Sequence, residues 1–241
     1  LVKRDTLQTM WENDEGKEIV FLVHMTEIHR GSQTGQSFLS DKDLVDYLPT
    51  KEVVDLYEKE DIRRDVYLKP KKIITTGGEQ TVFVFSKFAG NMNLQTAKVP
   101  EYRNMGKPVR SAEFYLIAAE AASKIPGQEA TANKYLNALR QVRIDGYKES
   151  TYSGVVLTNE IELERRRELI GEGFRFGDLK RWGKGFKRAG AYAGYNEMLI
   201  LRTGNQDQLS YEANDYRFVW PIPKGEIDAN PQIEKQQNPG Y

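Results

Sequence analysis

The stretch ERRRELIGEGFRFGDLKRWG, from Glu164 to Gly183, combines closely spaced charges with glycines and apolar residues. Glu164, Glu168 and Glu172 recur every fourth residue, so their carboxylates would share one face of a continuous helix. Further charges follow at similar steps: Arg165, Arg175, Asp178 and Arg181. The stretch can therefore be a catalytic carboxylate cluster, a nucleotide-binding loop, or a set of ion pairs between helices.

Ion pairs fit the stretch better than catalysis. A glycosidase could use Glu164, Glu168 and Glu172 as its paired carboxylates. Neighbouring guanidinium groups would lower their pKa values, however, whereas a general acid needs a raised pKa. We therefore predict a buried structural network in which arginines bind carboxylates where helices cross. Its expected members are Arg110, Glu113, Glu164, Arg165, Glu168, Glu172 and Arg175.

Other chemical motifs are weak. Gly171, Gly173 and Gly177 follow a helical pattern and lack dinucleotide-binding spacing, so we interpret them as sites where two helical pieces bend. His24 and His29 are five residues apart and point to opposite faces of a strand, which argues against a shared metal. The sequence therefore predicts no enzyme activity, no metal and no cofactor.

Composition excludes several classes of protein. The 241 residues contain 35 Lys plus Arg and 35 Asp plus Glu, so the net charge offers no general attraction for nucleic acid. Cysteine is absent from the sequence, which excludes disulfides and thiolate nucleophiles. No apolar run approaches the roughly 18 residues of a membrane-spanning helix.

The periodicity predicts a mainly α fold in two parts. Residues 1–109 are a loop-rich part with a strand over Glu18–Met25, a short helix after Thr50, and a small β-hairpin that turns at Gly77 and Gly78. Residues 110–241 are a helical part with an extended tail, in which VRSAEFYLIAAEAASK and QEATANKYLNALRQVR predict a helical hairpin of about tetratricopeptide length. Such a unit needs stacked neighbours to bury its apolar faces.

Two local signals refine the second part. Asn159 and Glu162 have the spacing of a capping box, so we expect the next helix to begin there. Trp182 and Trp220 are interpreted as packing anchors. The tyrosines of the irregular segment between them, Tyr192, Tyr195, Tyr211 and Tyr216, could stack on a sugar or hold a peptide.

Several motifs together resemble the SusD/RagB family of outer-membrane nutrient-binding lipoproteins of Bacteroidetes. They are VRSAEFYLIAAEA, YLNALRQVR, ELERRRELIGEGFRFGDLKRWG, WPIPKGEIDANP and QNPGY, with LPTKEVVDLYEKEDIRRD in the middle region. The match runs in family order from about Trp11 to Tyr241 and corresponds to the C-terminal half of the family fold. Members also carry N-terminal helices and a lipoprotein signal that are missing from this sequence, so we expect a C-terminal portion of a longer protein.

The resemblance implies a surface-exposed, lipid-anchored protein of the outer membrane. Such a protein captures oligosaccharides and delivers them to a SusC-like TonB-dependent transporter, without catalysis or cofactor. The first alternative is the same fold binding peptides, a second is a glycosidase, and a third is a protein-interaction scaffold without a small ligand. The candidate ligand residues lie on loops: His29, Arg30, Gln33, Phe38, Tyr192, Tyr195 and Asn196.

Overall fold

The computed structural model of the chain describes residues 1–39, 46–75, 78–96, 101–188 and 210–241. The first part contains a helix, a strand and short helices that precede the hairpin. They are α1 (Leu7–Asn13), β1 (Ile19–Val23), α2 (Gln36–Leu39), α3 (Lys51–Val54) and α4 (Ile62–Tyr67). One face of α1 carries Leu7, Met10 and Trp11, which are buried in one cluster with Tyr67. The spacing of these apolar residues is that of an amphipathic helix.

The predicted β-hairpin is present. Its strands are β2 (Leu68–Thr75) and β3 (Gly78–Phe85), which pair antiparallel in continuous register. Gly78 lies in β3 rather than in the turn, and Gly77 is outside the described residues. Buried side chains alternate along β3, as expected for one face of a strand: Val82 and Val84.

A second strand pair leads into the helical part. β4 (Gly106–Arg110) pairs antiparallel with β1, and α5 begins at the next residue, Ser111. The Ser111 amide donates to the Glu18 carbonyl at 2.8 Å, which fixes the start of the helix against β1. The predicted boundary between residues 109 and 110 falls within β4. The division of the chain into two parts stays a prediction.

The helical part is built from α5 (Ser111–Ser123), α6 (Glu129–Arg143), α7 (Gly154–Glu168) and α8 (Phe174–Trp182). α5 packs along α6 as the predicted helical hairpin, and α7 packs on α5. Small and branched side chains fill the space between these helices: Ala119, Ala122, Ala132, Leu136, Leu157 and Ile161. The helices in the described ranges are too short or too polar to cross a bilayer.

The prediction that a helix begins at Asn159 was wrong. α7 begins at Gly154, whose amide donates to the Glu129 carboxylate at 3.0 Å. Leu157 and Ile161 are both buried and lie one turn apart, so the apolar face of the helix extends to the N-terminal side of Asn159. Tertiary packing thus overrides the local capping pattern.

The tail runs through short elements. β5 (Phe186–Lys187) pairs with β6 (Ser210–Tyr211), and α9 spans Lys224–Ala229. Trp220 is 78% exposed. The prediction that it packs as an anchor was therefore wrong, since among the described residues its side chain is not buried. The segment around it is held through its backbone instead, because the Tyr241 hydroxyl donates to the Val219 carbonyl at 3.0 Å.

Candidate functional site

Glu168 is the centre of the charged stretch and is completely buried. It accepts hydrogen bonds from the guanidinium groups of Arg63, Arg110 and Arg143, each at 3.1 Å. The Tyr67 hydroxyl lies 3.3 Å from the same carboxylate. The end of α7 is therefore tied to α4, to the start of α5 and to the end of α6.

Glu164, one turn earlier on α7, is also fully buried. It accepts from Arg63 at 2.6 Å, from Arg140 at 2.8 Å and from Arg167 at 3.3 Å. Arg63 in turn donates to both carboxylate oxygens of Asp61, at 2.9 and 2.7 Å. A single buried guanidinium thus connects α7 to the loop that precedes α4.

Two further carboxylates, Glu172 and Glu18, are bound by the same group of basic side chains. Glu172 accepts from Lys87 at 2.6 Å and from Arg110 at 2.6 and 2.8 Å. Glu18 accepts from Arg110 at 2.6 Å and from Arg143 at 2.9 Å. We call the whole set the ionic core: Glu18, Asp61, Arg63, Lys87, Arg110, Arg140, Arg143, Glu164, Glu168 and Glu172.

The electrostatics of the ionic core do not suit acid catalysis. Burial by itself raises the pKa of a carboxyl group, but the charge of Arg63, followed by that of Arg140, outweighs it and lowers the pKa of Glu164 to about 2. The same balance, with Arg143 as the largest opposing charge, lowers the pKa of Glu168. A glycosidase acid needs a raised pKa and access to substrate, so these carboxylates do not provide a proton donor.

A second, smaller set of ion pairs connects α5, α7 and α8. Arg165 donates to both oxygens of Asp178 at 3.0 Å and lies 3.9 Å from Glu113. Glu120 accepts from Arg181 and from the Trp182 indole, the latter at 2.9 Å. The sequence placed Glu113 and Arg165 in one network with Glu164 and Glu168, whereas the structure gives them their own partners.

Arg175 does not join either set. It is exposed and makes no ion pair within the described part of the chain. The reason is the turn between the helices: α7 ends at Glu168, and Gly171 and Gly173 adopt φ values of +76° and +87°. This left-handed turn breaks the helical phase that the sequence pattern assumed for one continuous stripe.

The first predicted ligand loop is held by charged contacts. Arg30 donates to Glu101 at 2.6 Å and to the Thr96 hydroxyl at 2.8 Å. His29 and Gln33 on the same loop are exposed. The loop therefore presents these two side chains from an anchored position.

Phe38 forms part of an aromatic group rather than of this charged contact. Its ring centroid lies 5.6 Å from that of Phe85, 6.5 Å from Phe88 and 6.0 Å from Tyr47. Tyr47 is 62% exposed, and the sequence reasoning had not selected it. The second group of candidates, Tyr192, Tyr195 and Asn196, lies outside the described residues.

A groove of about 660 Å³ lies between α5 and α8. Ile117 and Ala121 line it from α5, and Gly173, Phe174 and Gly177 line it from the α8 side. Charged residues stand among them: Glu113, Glu120, Lys124, Arg165, Asp178 and Arg181. None of the described candidates of the first ligand loop, His29, Arg30, Gln33 and Phe38, lines this groove.

Residues 73–241 match the model of the SusD family. The chain belongs to the SusD family. Solved structures of SusD superfamily proteins have a similar fold over nearly all of this chain. One from Bacteroides thetaiotaomicron is 25% identical, with a TM-score of 0.77 over 99% of this chain and 52% of that one. The predicted family resemblance and the mainly α fold class are confirmed. No curated protein matches the chain.

More distant SusD-like structures share the fold. A SusD-like carbohydrate binding protein from Bacteroides vulgatus is 19% identical, with a TM-score of 0.73 over 99% of this chain and 52% of that one. A laminarin binding SusD-like protein is 23% identical, with a TM-score of 0.63 over 100% of this chain and 54% of that one. This SusD-family chain therefore spans about half the length of the solved structures that it resembles.

Proposed function

We propose that this SusD-family chain belongs to a lipid-anchored protein of the outer cell surface that binds oligosaccharides and delivers them to a SusC-like TonB-dependent transporter. Its role is that of a binding subunit without catalysis or cofactor. The observation that carries the proposal is the likeness of nearly the whole chain to SusD-like folds, two of which are named for carbohydrate and laminarin binding.

The chemistry of the chain supports binding rather than hydrolysis. The carboxylates that could have acted as a catalytic pair, Glu164 and Glu168, are both fully buried and paired with arginines. Surface loops instead offer the side chains that sugars require. An aromatic ring covers the apolar C–H face of a sugar, and polar groups around it bind the hydroxyls.

The proposed ligand surface starts from the described loop. His29 and Gln33 are exposed, Arg30 is anchored by Glu101, and Tyr47 is 62% exposed. We add Tyr47 to the ligand residues proposed from the sequence: His29, Arg30, Gln33, Phe38, Tyr192, Tyr195 and Asn196. A peptide could use the same chemistry, so the ligand class has to be decided by measurement.

Titration calorimetry with laminarin oligosaccharides, other glycans and a peptide panel tests the ligand class. We expect glycans to bind, and we expect Tyr47→Ala to weaken binding by about threefold to tenfold, since stacking contributes roughly 1 kcal/mol. The control is Trp220→Ala, which removes an aromatic ring that is 78% exposed in the tail and is not among the proposed ligand residues. Binding of peptides alone would overturn the glycan assignment, and no binding of either class would favour a protein-interaction scaffold.

Two further measurements test the rest of the proposal. Copurification of a TonB-dependent transporter from outer-membrane extracts is expected if the protein delivers its ligand to one. Failure to recover a transporter under conditions that preserve membrane complexes would contradict delivery. Release of shorter sugars from a bound glycan would contradict the assignment as a binding subunit.

A further inference from the structure

Glu101 binds two arginines that come from different segments of the chain. Arg30, on the first ligand loop (residues 24–35), donates to Glu101 Oε2 at 2.6 Å, and Arg103 donates to the same oxygen at 2.8 Å. The Thr96 hydroxyl donates to Oε1 at 3.2 Å. The Glu101 side chain is 12% exposed. Its carboxylate therefore serves contacts within the protein.

Arg103 also reaches the ligand loop directly. Its Nη1 donates to the carbonyl of Gly31, the residue that follows Arg30. The loop is thus attached at two adjacent residues, once through a side chain and once through the backbone. We call the four residues the loop clamp: Arg30, Gly31, Glu101 and Arg103. Hydrogen bonds that involve an ionised group are stronger than neutral ones, and the bond from Arg103 lowers the pKa of Glu101 to about 2, so its carboxylate is charged at neutral pH.

The segment that carries Glu101 is itself fixed by backbone hydrogen bonds. The Arg103 carbonyl accepts from the Asn91 amide at 2.6 Å. On the other side, the Tyr102 carbonyl accepts from the Gly35 amide at 3.0 Å, and Gly35 is the last residue before α2. The ligand loop is therefore held at its end by the same segment that holds its middle through the clamp.

Two candidate ligand residues lie on either side of the clamp. His29 precedes Arg30 and belongs to a turn that closes on itself, because its amide donates to the Thr26 hydroxyl at 3.1 Å and its carbonyl accepts from the Thr26 amide at 3.2 Å. Gln33 lies between the clamp at Gly31 and the backbone attachment at Gly35. Both candidate side chains are exposed, so the clamp supports their position through the backbone rather than by packing around them.

We propose that Glu101 is a positioning residue for the first ligand loop. It holds Arg30, keeps Arg103 directed at Gly31, and thereby maintains the loop conformation in which His29 and Gln33 bind the ligand. Without its charge, two guanidinium groups would lie close together with no carboxylate between them, and like charges repel. A loop that is ordered before binding loses less conformational entropy when the ligand arrives. The inference rests on the proposed function, because it concerns how the proposed ligand surface is held in place.

Glu101→Gln tests the proposal, because it keeps the size of the side chain and removes its charge. The matched control is Glu79→Gln on β3, whose carboxylate accepts from Lys72 at 2.7 Å in an exposed ion pair between the hairpin strands. Limited digestion with trypsin measures loop opening without any ligand, since the protease cleaves after Arg30 only when the loop leaves its folded position. The bond after exposed Lys148, in the loop between α6 and α7, is the internal reference.

We expect cleavage after Arg30, relative to the reference bond, to be about tenfold faster or more in Glu101→Gln and unchanged in Glu79→Gln. The melting temperature should stay close to that of the unmodified chain, because ion pairs near the surface contribute little to global stability. Unchanged cleavage would overturn the clamp whatever the ligand is. A large fall in melting temperature would overturn the positioning role, since Glu101 would then support the fold as a whole.

Calorimetry with laminarin oligosaccharides tests the link to binding. Affinity should fall about threefold to tenfold in Glu101→Gln, as for a loop that adopts its binding conformation only about 10–30% of the time. Arg103→Gln should cause a similar loss, and the double variant should lose no more than either single variant, because both residues act on one loop. Additive losses, or faster cleavage with unchanged affinity, would overturn the positioning role and leave the proposed function standing. Absence of binding to every glycan and peptide by the unmodified chain would overturn the proposed function and with it the role in binding.

Discussion

Replacing Glu168 by glutamine is the most direct perturbation of the ionic core. The change keeps the shape of the side chain and removes one negative charge from a site with no solvent exposure. Arg63, Arg110 and Arg143 each donate to this carboxylate at 3.1 Å, so the variant leaves three guanidinium groups with less compensating charge. Removing one partner of a buried ion pair costs roughly 3–5 kcal/mol.

The expected loss is measurable by urea denaturation followed by tryptophan fluorescence, with a thermal melt as a second assay. For a chain of this size each kcal/mol corresponds to about 2–4 °C, so the melting temperature should fall by about 6–20 °C. Glu162→Gln is the matched control on the same helix, because its partner Lys184 is 46% exposed and the hydrogen bond between them lies at the surface. Ion pairs at the surface contribute less than about 1 kcal/mol. Equal losses in the two variants would refute the argument that the buried charges stabilise the fold.

Three further predictions concern acid stability and glycine packing. The pKa of Glu164 is lowered from 4.5 to about 2 in the folded chain, so its contribution to stability is complete above pH 4.5 and is lost as the pH falls toward 2. Between pH 6 and pH 2 the melting temperature of Glu164→Gln should therefore fall by less than that of the unmodified chain. Gly35→Ala should cost about 1–3 kcal/mol by urea denaturation, since its Cβ would lie 2.0 Å from the Phe88 carbonyl oxygen; an unchanged midpoint would contradict that contact. Gly177→Ala should instead stabilise the 241-residue chain by about 0.5–1 kcal/mol, because alanine favours the helix and no heavy atom lies within 4 Å of the added Cβ. A lower urea midpoint would show that the space around residue 177 is not open.

Elements with strong local periodicity were predictable from the sequence. The Ala- and Leu-rich segments that became α5 and α6 bury one face of each helix, and that face is visible in the spacing of residues such as Leu116 and Leu136. The β2–β3 hairpin was predictable because β-branched and aromatic residues flank Gly77 and Gly78 in the sequence. The start of α7 was not, since its first turns are stabilised by burial of Leu157 rather than by a cap at Asn159.

Seven of the ten residues of the ionic core lie outside the charged stretch from Glu164 to Gly183. Arg63 lies 101 positions from Glu164 in the sequence, although the two side chains are 2.6 Å apart. Glu18 and Lys87 likewise reach the core from a strand end and from the loop after the hairpin. Local spacing predicts which charges share a helix face, but it does not identify partners that only tertiary folding brings together.

The burial of these ion pairs explains why the charged stretch from Glu164 to Gly183 identifies the fold without identifying a ligand. Glu164 and Glu168 are enclosed by arginines from several elements, and a buried charge that loses its partner is strongly destabilising. Residue identity at these positions is therefore constrained by the scaffold alone. Side chains such as His29 and Tyr47 face solvent, so a substitution there should cost little stability. Such a substitution can change the contacts with the proposed ligand without unfolding the chain. We therefore expect ligand specificity to depend on the proposed loop residues, whereas the charged stretch stabilises the packing of the helices.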